Sequence, residues 1–386
     1  MTRVLLRGPA LTQSGYGIHC RQVARWLLSK PGVTMDIQAL PWGITSWIIN
    51  PESSPLINSI MANCRALSGT YDISFQVQLP NEWDPQVANF NVGITASVET
   101  DRCNPEWIKC IKAMDTVVVP SNHAKMSILN VDDTVENLVV IPEAFPDEIN
   151  SDGTANFLEE SIVTPFNLLI FGQLTGNHPE NDRKNIFHTI RLLCSAFAGN
   201  PNVGIIIKTN SGKSTKIDRQ ITRSLLHSVL QQIRPGPYPK FYFLHGNLND
   251  SEVAGLYSHP KVNALVSLTR GEGFGLPILE AAASGLPVIA TGWSAYLDFM
   301  DHGRFIKIDY DLVDIPKSRV DNTIFMAGAK WAEANEADFC EKIIKFYKKH
   351  DIPKTWAVDL AKTIKKKYSF STISQLYDEQ FLELLS

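Results

Sequence analysis

At 386 residues the chain is long enough for two domains of ordinary size. Its 44% hydrophobic and 20% charged residues exclude a disordered, collagen-like or coiled-coil chain, and no apolar run approaches the ~18–20 residues of a membrane span. The formal charge of −4 argues against a chain built as a whole to bind polyanions. The N-terminus runs straight into Val4, Leu5 and Leu6, with no long apolar stretch and cleavage site behind them, so no signal peptide is expected. The six cysteines (Cys20, Cys64, Cys103, Cys110, Cys194, Cys340) form no CxxC pair and no His/Cys set with zinc spacing, which reads as reduced thiols in a cytoplasmic protein.

Strand and helix signals alternate from end to end. Residues 4–7 read as a short strand, 8–17 as a turn-rich loop, and 18–28 as an amphipathic helix with Val23, Trp26 and Leu27 on one face. A strand at 35–40 completes a βαβ unit. Further strands are expected at 71–77, 91–96, 116–119 and 138–141. Helices are expected at 105–114, with Pro105 in the first turn, and from an N-cap at Ser121 through Leu129. The polar, turn-forming residues 150–154 place a domain boundary between about 147 and 166.

The alternation then restarts. Strands are expected at 167–172, 203–208, 240–244, 262–268 and 288–291, and helices at 184–197, 217–233, 251–258 and 277–284. Helix patterns at 333–349, 355–366 and 372–385 end the chain. Strands alternating with helices mean a parallel sheet covered on both faces, and two such runs mean two doubly wound α/β domains. Ligands of such domains bind at the carboxyl ends of the strands.

Three glycine loops resemble phosphate-binding motifs and fail them. Ser211–Ser214 ends like a P-loop, but Ile207 stands where the first glycine is required. Gly271 and Gly273 lack the third glycine of a dinucleotide fingerprint, whose position is Leu276; Gly15 and Gly17 lack it at Cys20.

Residues 262–291 carry more weight. They read strand, glycine-rich turn, helix, glycine stop, strand, with Pro277 at the helix start and Gly285 just past its end. The backbone N–H groups of Gly275 and Leu276 open that helix, a position suited to a phosphate. Glu272 lies in the turn, where it can reach sugar hydroxyls. Glu280 follows after seven intervening residues, one turn into the helix, where a carboxylate can accept from both hydroxyls of a ribose diol.

This segment resembles the Glu-x7-Glu signature of retaining GT-B glycosyltransferases, specifically family 4 (glycosyl transferases group 1). From Glu272 onward the match is nearly complete; the Pro-Ser that usually precedes it is absent. A weaker resemblance extends over most of the chain. It implies two Rossmann-like domains facing across a cleft: residues 1–155 on the acceptor side, with a C-terminal helix at about 368–386 packing back on them, and residues 165–367 binding the nucleotide sugar. The resemblance assigns Glu272 to the donor hexose, Gly273, Phe274, Gly275 and Leu276 to hexose and diphosphate through backbone N–H groups, and Glu280 to the ribose.

Phe171-Gly172-Gln173 followed by Arg183-Lys184-Asn185 resembles the family's Gly-Arg and downstream Lys-Asn. Lys184 matches the lysine that neutralises the leaving diphosphate. Gln173 stands where the family has Arg, so Arg183 is the alternative source of that charge. Two cations at a helix start are unfavourable unless an anion binds there. Ser14-Gly15-Tyr16-Gly17 resembles the N-domain loop near donor phosphate and acceptor, with a simple turn as the other reading. His245 ends a strand where the family binds the base, and a structural histidine reads equally well. Glu99 and Thr100 stand in a Glu-Thr-Asp stretch found in one branch of the family and are acceptor-side candidates, against capping by Thr100 or Asp101. Trp293–Asp298 loosely resembles the family's Gly-Gly-x-x-Glu.

The expected reaction is transfer of a hexose from a nucleoside diphosphate sugar, with retention at the anomeric carbon, to a glycan, lipid or other hydroxyl compound. No metal and no separate cofactor is implied, since basic side chains and a helix N-terminus meet the diphosphate charge. Net negative charge disfavours a nucleic-acid partner. A nucleotide-sugar epimerase on the same fold and a non-catalytic nucleotide-sugar-binding protein are the rival readings. Residues 342–367 carry nine lysines against Asp351 and Asp359. They read either as a solvated helix face or as a surface drawn to a polyanionic acceptor or the inner face of a membrane.

Overall fold

The computed structural model of the protein describes residues 1–151, 161–174, 178–233 and 236–386. The chain divides into two compact units. Unit 1 comprises Met1–Ala144, Asp321–Ala329 and Phe370–Ser386; unit 2 comprises Phe145–Val320 and Lys330–Ser369. The boundary expected between 147 and 166 falls largely on residues 152–160, outside the described residues.

Unit 1 is a six-stranded parallel sheet of β1 (Thr2–Gly8), β2 (Val33–Ala39), β3 (Tyr71–Val77), β4 (Ala88–Ile94), β5 (Thr116–Val119) and β6 (Leu138–Val140), in the order β2-β1-β3-β4-β5-β6. Its central strands are near-continuous apolar runs because helices cover both faces; Val4, Leu5 and Leu6 are all fully buried. Helices α1 (Gly15–Leu28), α2 (Pro55–Ala62), α3 (Trp107–Lys112) and α4 (Asn122–Leu129) connect the strands.

α1 starts three residues before the position expected. Ser14 is its N-cap, its Oγ accepting from the Gly17 N–H at 3.0 Å, so Gly15 and Gly17 lie in the first helical turn and not in a loop. Their low helix propensity hid the start. Gly17 serves a close approach: a Cβ there would collide with the Thr12 carbonyl oxygen.

Unit 2 holds β7 (Phe166–Phe171), β8 (Val203–Thr209), β9 (Lys240–His245), β10 (Val262–Ser267), β11 (Val288–Thr291) and β12 (Ile306–Ile308), all parallel, in the order β9-β8-β7-β10-β11-β12. The chain winds outward from β7 to β9, returns to β10 beside β7, and winds outward the other way. Helices α5 (Ile186–Ala196), α6 (Lys216–Ile233), α7 (Asp250–Ser258), α8 (Leu276–Ala283), α9 (Leu297–Met300), α10 (Glu336–Lys348) and α11 (Asp351–Lys367) flank the sheet. Leu168, Ile170, Ile205, Ile207 and Val266 pack with Ile190 and Leu193 of α5 and with Phe339, Ile343 and Phe346 of α10 in one core.

An antiparallel hairpin of β13 (Tyr310–Asp314) and β14 (Lys330–Ala334) occupies residues where no strand was expected. It also corrects the helix expected from 333. α10 begins at Glu336, capped by Asn335, whose side chain accepts from the Asp338 N–H at 3.0 Å. Residues 330–334 pair with a partner distant in sequence, which local propensity does not register. The last helix, α12 (Phe370–Leu385), lies in unit 1. There Tyr377 and Phe381 pack on Trp26 and Phe75, and Asp378 accepts from the Trp26 indole N–H at 2.8 Å.

Candidate active site

In unit 2 the strand order reverses between β7 and β10, and a doubly wound sheet binds ligands outside the carboxyl ends of its strands at such a switch point. The segment after β7 carries Gly172, Gln173, Arg183 and Lys184; the segment after β10 carries Thr269, Arg270 and Glu272. Topology alone therefore brings together residues almost ninety positions apart.

Glu272 is buried and held from every side. Lys184 Nζ donates to both carboxylate oxygens, at 2.7 and 2.9 Å. Arg183 Nη1 stands 3.2 Å from Oε2 and donates to the Gly271 carbonyl at 2.7 Å. Thr269 Oγ1 donates to Oε1 at 2.9 Å, and the Glu272 N–H donates to Ser294 Oγ at 3.0 Å. Burial by itself would raise this carboxyl; the charges of Lys184 and Arg183 outweigh it and hold Glu272 at about 2, fully ionised.

This arrangement corrects one inference from sequence. Arg183 and Lys184 do not sit in the first helical turn. Asn185 precedes α5 in the left-handed conformation, φ 55°, and Asp182 Oδ2 accepts from the Ile186 N–H at 2.6 Å. The helix start thus has its own carboxylate, and the two cations are balanced by Glu272, so no bound anion is needed to account for them.

Glu280 has the opposite environment. It lies buried in α8, and Tyr257 donates to its Oε2 at 3.2 Å. Burial, with no cation in contact, raises its carboxyl to about 8. The Tyr257 ring stacks on Phe171 at the end of β7, 5.8 Å between centroids. Two carboxylates eight positions apart are therefore set to opposite protonation states at neutral pH.

Between them, Gly275 takes φ 101° as the N-cap of α8, with Pro277 in the first turn. Pro277 has no N–H, and the Ile278 and Leu279 N–H groups donate to the Gly275 carbonyl at 2.9 and 3.0 Å, so of the first turn the Leu276 N–H stays outside the helical ladder. Phe274 and Leu276 are buried, Phe274 against Phe299 at 5.5 Å, so only their backbone can meet a ligand. Gly273 completes the turn. Gln173 is exposed at the end of β7.

His245 is committed elsewhere: its Nε2 lies 2.6 Å from Asp218 Oδ2, which also accepts from the Ser211 N–H at 3.2 Å. Gly15, Gly17, Glu99 and Thr100 belong to unit 1. Thr100 is fully buried and donates to the Arg102 carbonyl at 3.0 Å, a local turn and not a helix cap; Glu99 is half-buried.

Sequence reasoning gave no role to Thr269, Tyr257 and Arg270, and named Ser294 only within the loosely matching stretch Trp293–Asp298. Arg270 donates through Nη1 to the carbonyls of Pro179 and Asp182, each at 2.9 Å, and through Nε to Glu333 at 2.7 Å. It fastens the segment that carries Arg183 and Lys184 to β14. Arg270, Tyr257 and Ser294 act through partners more than twenty positions away, which no spacing rule marks; Thr269 bonds Glu272 three residues on and carries no motif of its own. Among the described residues, no group of three or more His, Cys, Asp or Glu side chains is placed to hold a metal ion. Also among them, no helix is long and apolar enough to cross a membrane.

Residues 223–348 match the family model described as glycosyl transferases group 1. No curated protein matches the chain. Solved structures share its fold over the full length. The Anabaena protein Alr3699/HepE in complex with UDP and glucose superposes with a TM-score of 0.63 at 13% identity, over 99% of this chain and 100% of that one. The sucrose-phosphate synthase (tll1590) from Thermosynechococcus elongatus gives 0.63 at 16%, over 100% and 99%. A glycosyltransferase from Rickettsia africae ESF-5 gives 0.61 at 16%, over 100% and 99%. The fold is GT-B.

Proposed function

We infer that this GT-B protein is a glycosyltransferase that moves a hexose from a nucleoside diphosphate sugar to a hydroxyl acceptor, with retention and without a metal ion. The observation that carries this reading is the pair Glu272 and Glu280 on either side of the α8 N-terminus, with Lys184 and Arg183 against the first. In this reading Glu280 accepts from the ribose hydroxyls, the Gly275 and Leu276 N–H groups at the start of α8 meet the diphosphate, and Glu272 accepts from hydroxyls of the hexose. Lys184 and Arg183, already ordered by Glu272, share their charge with the diphosphate as it leaves. The bond from the anomeric carbon to phosphate oxygen breaks, the bond to the acceptor oxygen forms on the same face, and the acceptor proton passes to the departing phosphate.

The UDP and glucose bound by the Anabaena protein of the same fold make UDP-glucose the first donor to test. The experiment is a panel of nucleoside diphosphate hexoses with candidate acceptors, in excess EDTA, following diphosphate release and the anomeric configuration of the product. Transfer with retention supports the reading. A strict requirement for Mg²⁺ or Mn²⁺ refutes the diphosphate assignment, and inversion refutes the same-face step. Glu272→Ala should lower turnover by about 10²–10³ and leave plain diphosphate binding nearly intact, because the diphosphate lacks the sugar. Glu280→Ala should weaken both donor and diphosphate by about 10–100-fold.

A further inference from the structure

Unit 1 carries an aromatic pair that the donor site does not use. Tyr16, in the first turn of α1, stacks on Trp42 with centroids 3.9 Å apart and planes inclined by 20°. The Tyr16 hydroxyl is 2.9 Å from Thr95 Oγ1 and accepts from the Ala96 N–H at 3.0 Å, so the phenol ring is fixed from its far end. The indole is held as firmly. Its segment pairs with the chain after β1: Trp47 bridges to Thr12, the Gln13 N–H donates to the Ser46 carbonyl at 2.9 Å, and the Ile48 N–H donates to the Leu11 carbonyl at 2.7 Å. Thr45 Oγ1 donates to the Trp42 carbonyl at 2.7 Å.

This framework lies at the carboxyl ends of β1, β2 and β4, the side on which a doubly wound sheet receives ligands. It holds apolar groups in solvent that would otherwise collapse inward. Trp42 is covered on one face by Tyr16 and remains only half-buried, while Ile44 is 70% and Trp47 42% exposed. A rigid aromatic ring that keeps part of its surface accessible binds a flat partner at low entropic cost.

Charge selects among flat partners. Between Lys30 and Arg65 the chain contains no cation, and Asp36 and Glu52 are its only charges; the arginines nearest in the fold are engaged by the protein, Arg21 with the Ala10 and Thr12 carbonyls at 3.0 and 2.8 Å and Arg7 with Gln38 and the Glu82 carbonyl at 2.9 and 2.8 Å. Nucleobases also stack on aromatic rings, but a nucleic acid brings phosphates that need lysine or arginine beside the platform. A neutral sugar ring brings none. Its C–H face stacks through dispersion while its hydroxyls reach polar neighbours. Glu99, half-buried, acts electrostatically on the Tyr16 hydroxyl, which places an acidic group near the same ring.

We propose that Trp42, backed by Tyr16, is the stacking platform for a neutral pyranose ring of the acceptor. Its role as an acceptor subsite rests on the glycosyltransferase reading; ring binding at Trp42 does not.

The test uses the full chain labelled with 5-fluorotryptophan. Fluorine NMR resolves Trp42 among the eight tryptophans, and Trp42→Phe assigns its signal. Methyl pyranosides of glucose, galactose and mannose are titrated, with glucuronate and a thymidine oligonucleotide as anionic arms. The expected result is a saturable shift of the Trp42 signal with at least one neutral pyranoside and none with the anions. Calorimetry should then show Trp42→Ala weakening that pyranoside by about tenfold or more, Trp42→Phe retaining most of the affinity, and diphosphate binding unchanged in both. A Trp42 signal that no neutral pyranoside moves overturns the proposal, as does one that glucuronate or the oligonucleotide moves. Unchanged pyranoside affinity in Trp42→Ala overturns it as well. Since the titration needs no turnover, pyranoside binding at Trp42 in a protein that transfers nothing faults the glycosyltransferase reading alone.

Discussion

Glu272 and Glu280 show how far surroundings decide what a side chain is. Both are buried glutamates at the ends of one eight-residue spacing, yet one is held at about 2 and the other at about 8. The difference is the two cations beside Glu272. It gives the two residues opposite effects on stability. Ionised Glu272 stabilises the fold at neutral pH, and that contribution is lost as pH falls from its ordinary 4.5 towards about 2. Glu272→Gln should therefore cost about 3–5 kcal/mol at pH 7, because Lys184 and Arg183 lose their buried counter-charge. The gap to wild type should shrink below pH 4.5; a gap independent of pH in chemical denaturation contradicts the ion-pair account.

Glu280 works the other way. Folding favours its protonated form, so stability is retained below pH 4.5 and lost as pH rises towards about 8. Glu280→Gln should be neutral near pH 4 and stabilising by about 1–3 kcal/mol at pH 9, where it removes an uncompensated buried charge. Thermal melts at the two pH values check this. Donor affinity in the wild type should rise between pH 6 and 8, if the ribose hydroxyls bind the ionised form; calorimetry with the nucleoside diphosphate across that range would show no rise if Glu280 lies outside the ribose site.

Among the elements, α1 and α8 each begin where glycine permits a tight approach, for different reasons. At Gly275 the requirement is conformational, φ 101°. At Gly17 it is steric, since α1 lies against the Pro9–Thr12 turn. Gly17→Ala should destabilise unit 1 by about 2 kcal/mol or more, although alanine is the better helix former. Gly15 is the control, because an added methyl group there would meet nothing within 4 Å: Gly15→Ala should be neutral or slightly stabilising. Equal melting temperatures for the two variants contradict the close-contact reading. The same two helix starts bear on function. One sets Tyr16 beside Trp42, and the other sets the carboxylates on either side of the Gly275 and Leu276 N–H groups.

At the scale of the whole molecule, the last helix completes unit 1. Tyr377 and Phe381 are almost fully buried against Trp26 and Phe75, and His19 shares a hydrogen bond with Tyr377 at 3.1 Å. Removing residues 370–386 exposes that aromatic cluster and should cost several kcal/mol, at ~25 cal/mol per Å² of apolar area. Loss of a cooperative transition for unit 1, with that of unit 2 kept, is the expected melt. Eight of the nine lysines of 342–367 lie on α10 and α11, with Lys349 at the C-cap of α10, and the apolar faces of these helices are occupied by Phe339, Ile343, Phe346, Leu360 and Ile364. Their outward charge should draw anionic vesicles over neutral ones at low salt and lose that preference at high salt, with ~1 kcal/mol per lysine near the surface. Equal, negligible sedimentation with both vesicle types leaves them as solvated surface.

The alternation of strands with helices, and therefore two parallel sheets, was legible along the chain because strands buried on both faces must be apolar throughout. The motif at 272–280 was legible because its residues are near neighbours in sequence. What the residues touch was not. That Lys184 and Arg183 belong to Glu272 and that Arg270 anchors the segment before α5 follow from β7 and β10 being adjacent; that Tyr257 faces Glu280 follows from α7 packing on α8. Their adjacency is a consequence of winding order, which no local pattern carries. The β13–β14 hairpin and the Tyr16–Trp42 stack were hidden for the same reason. Each is a contact between segments whose own propensities are indifferent, and only the packed chain decides it.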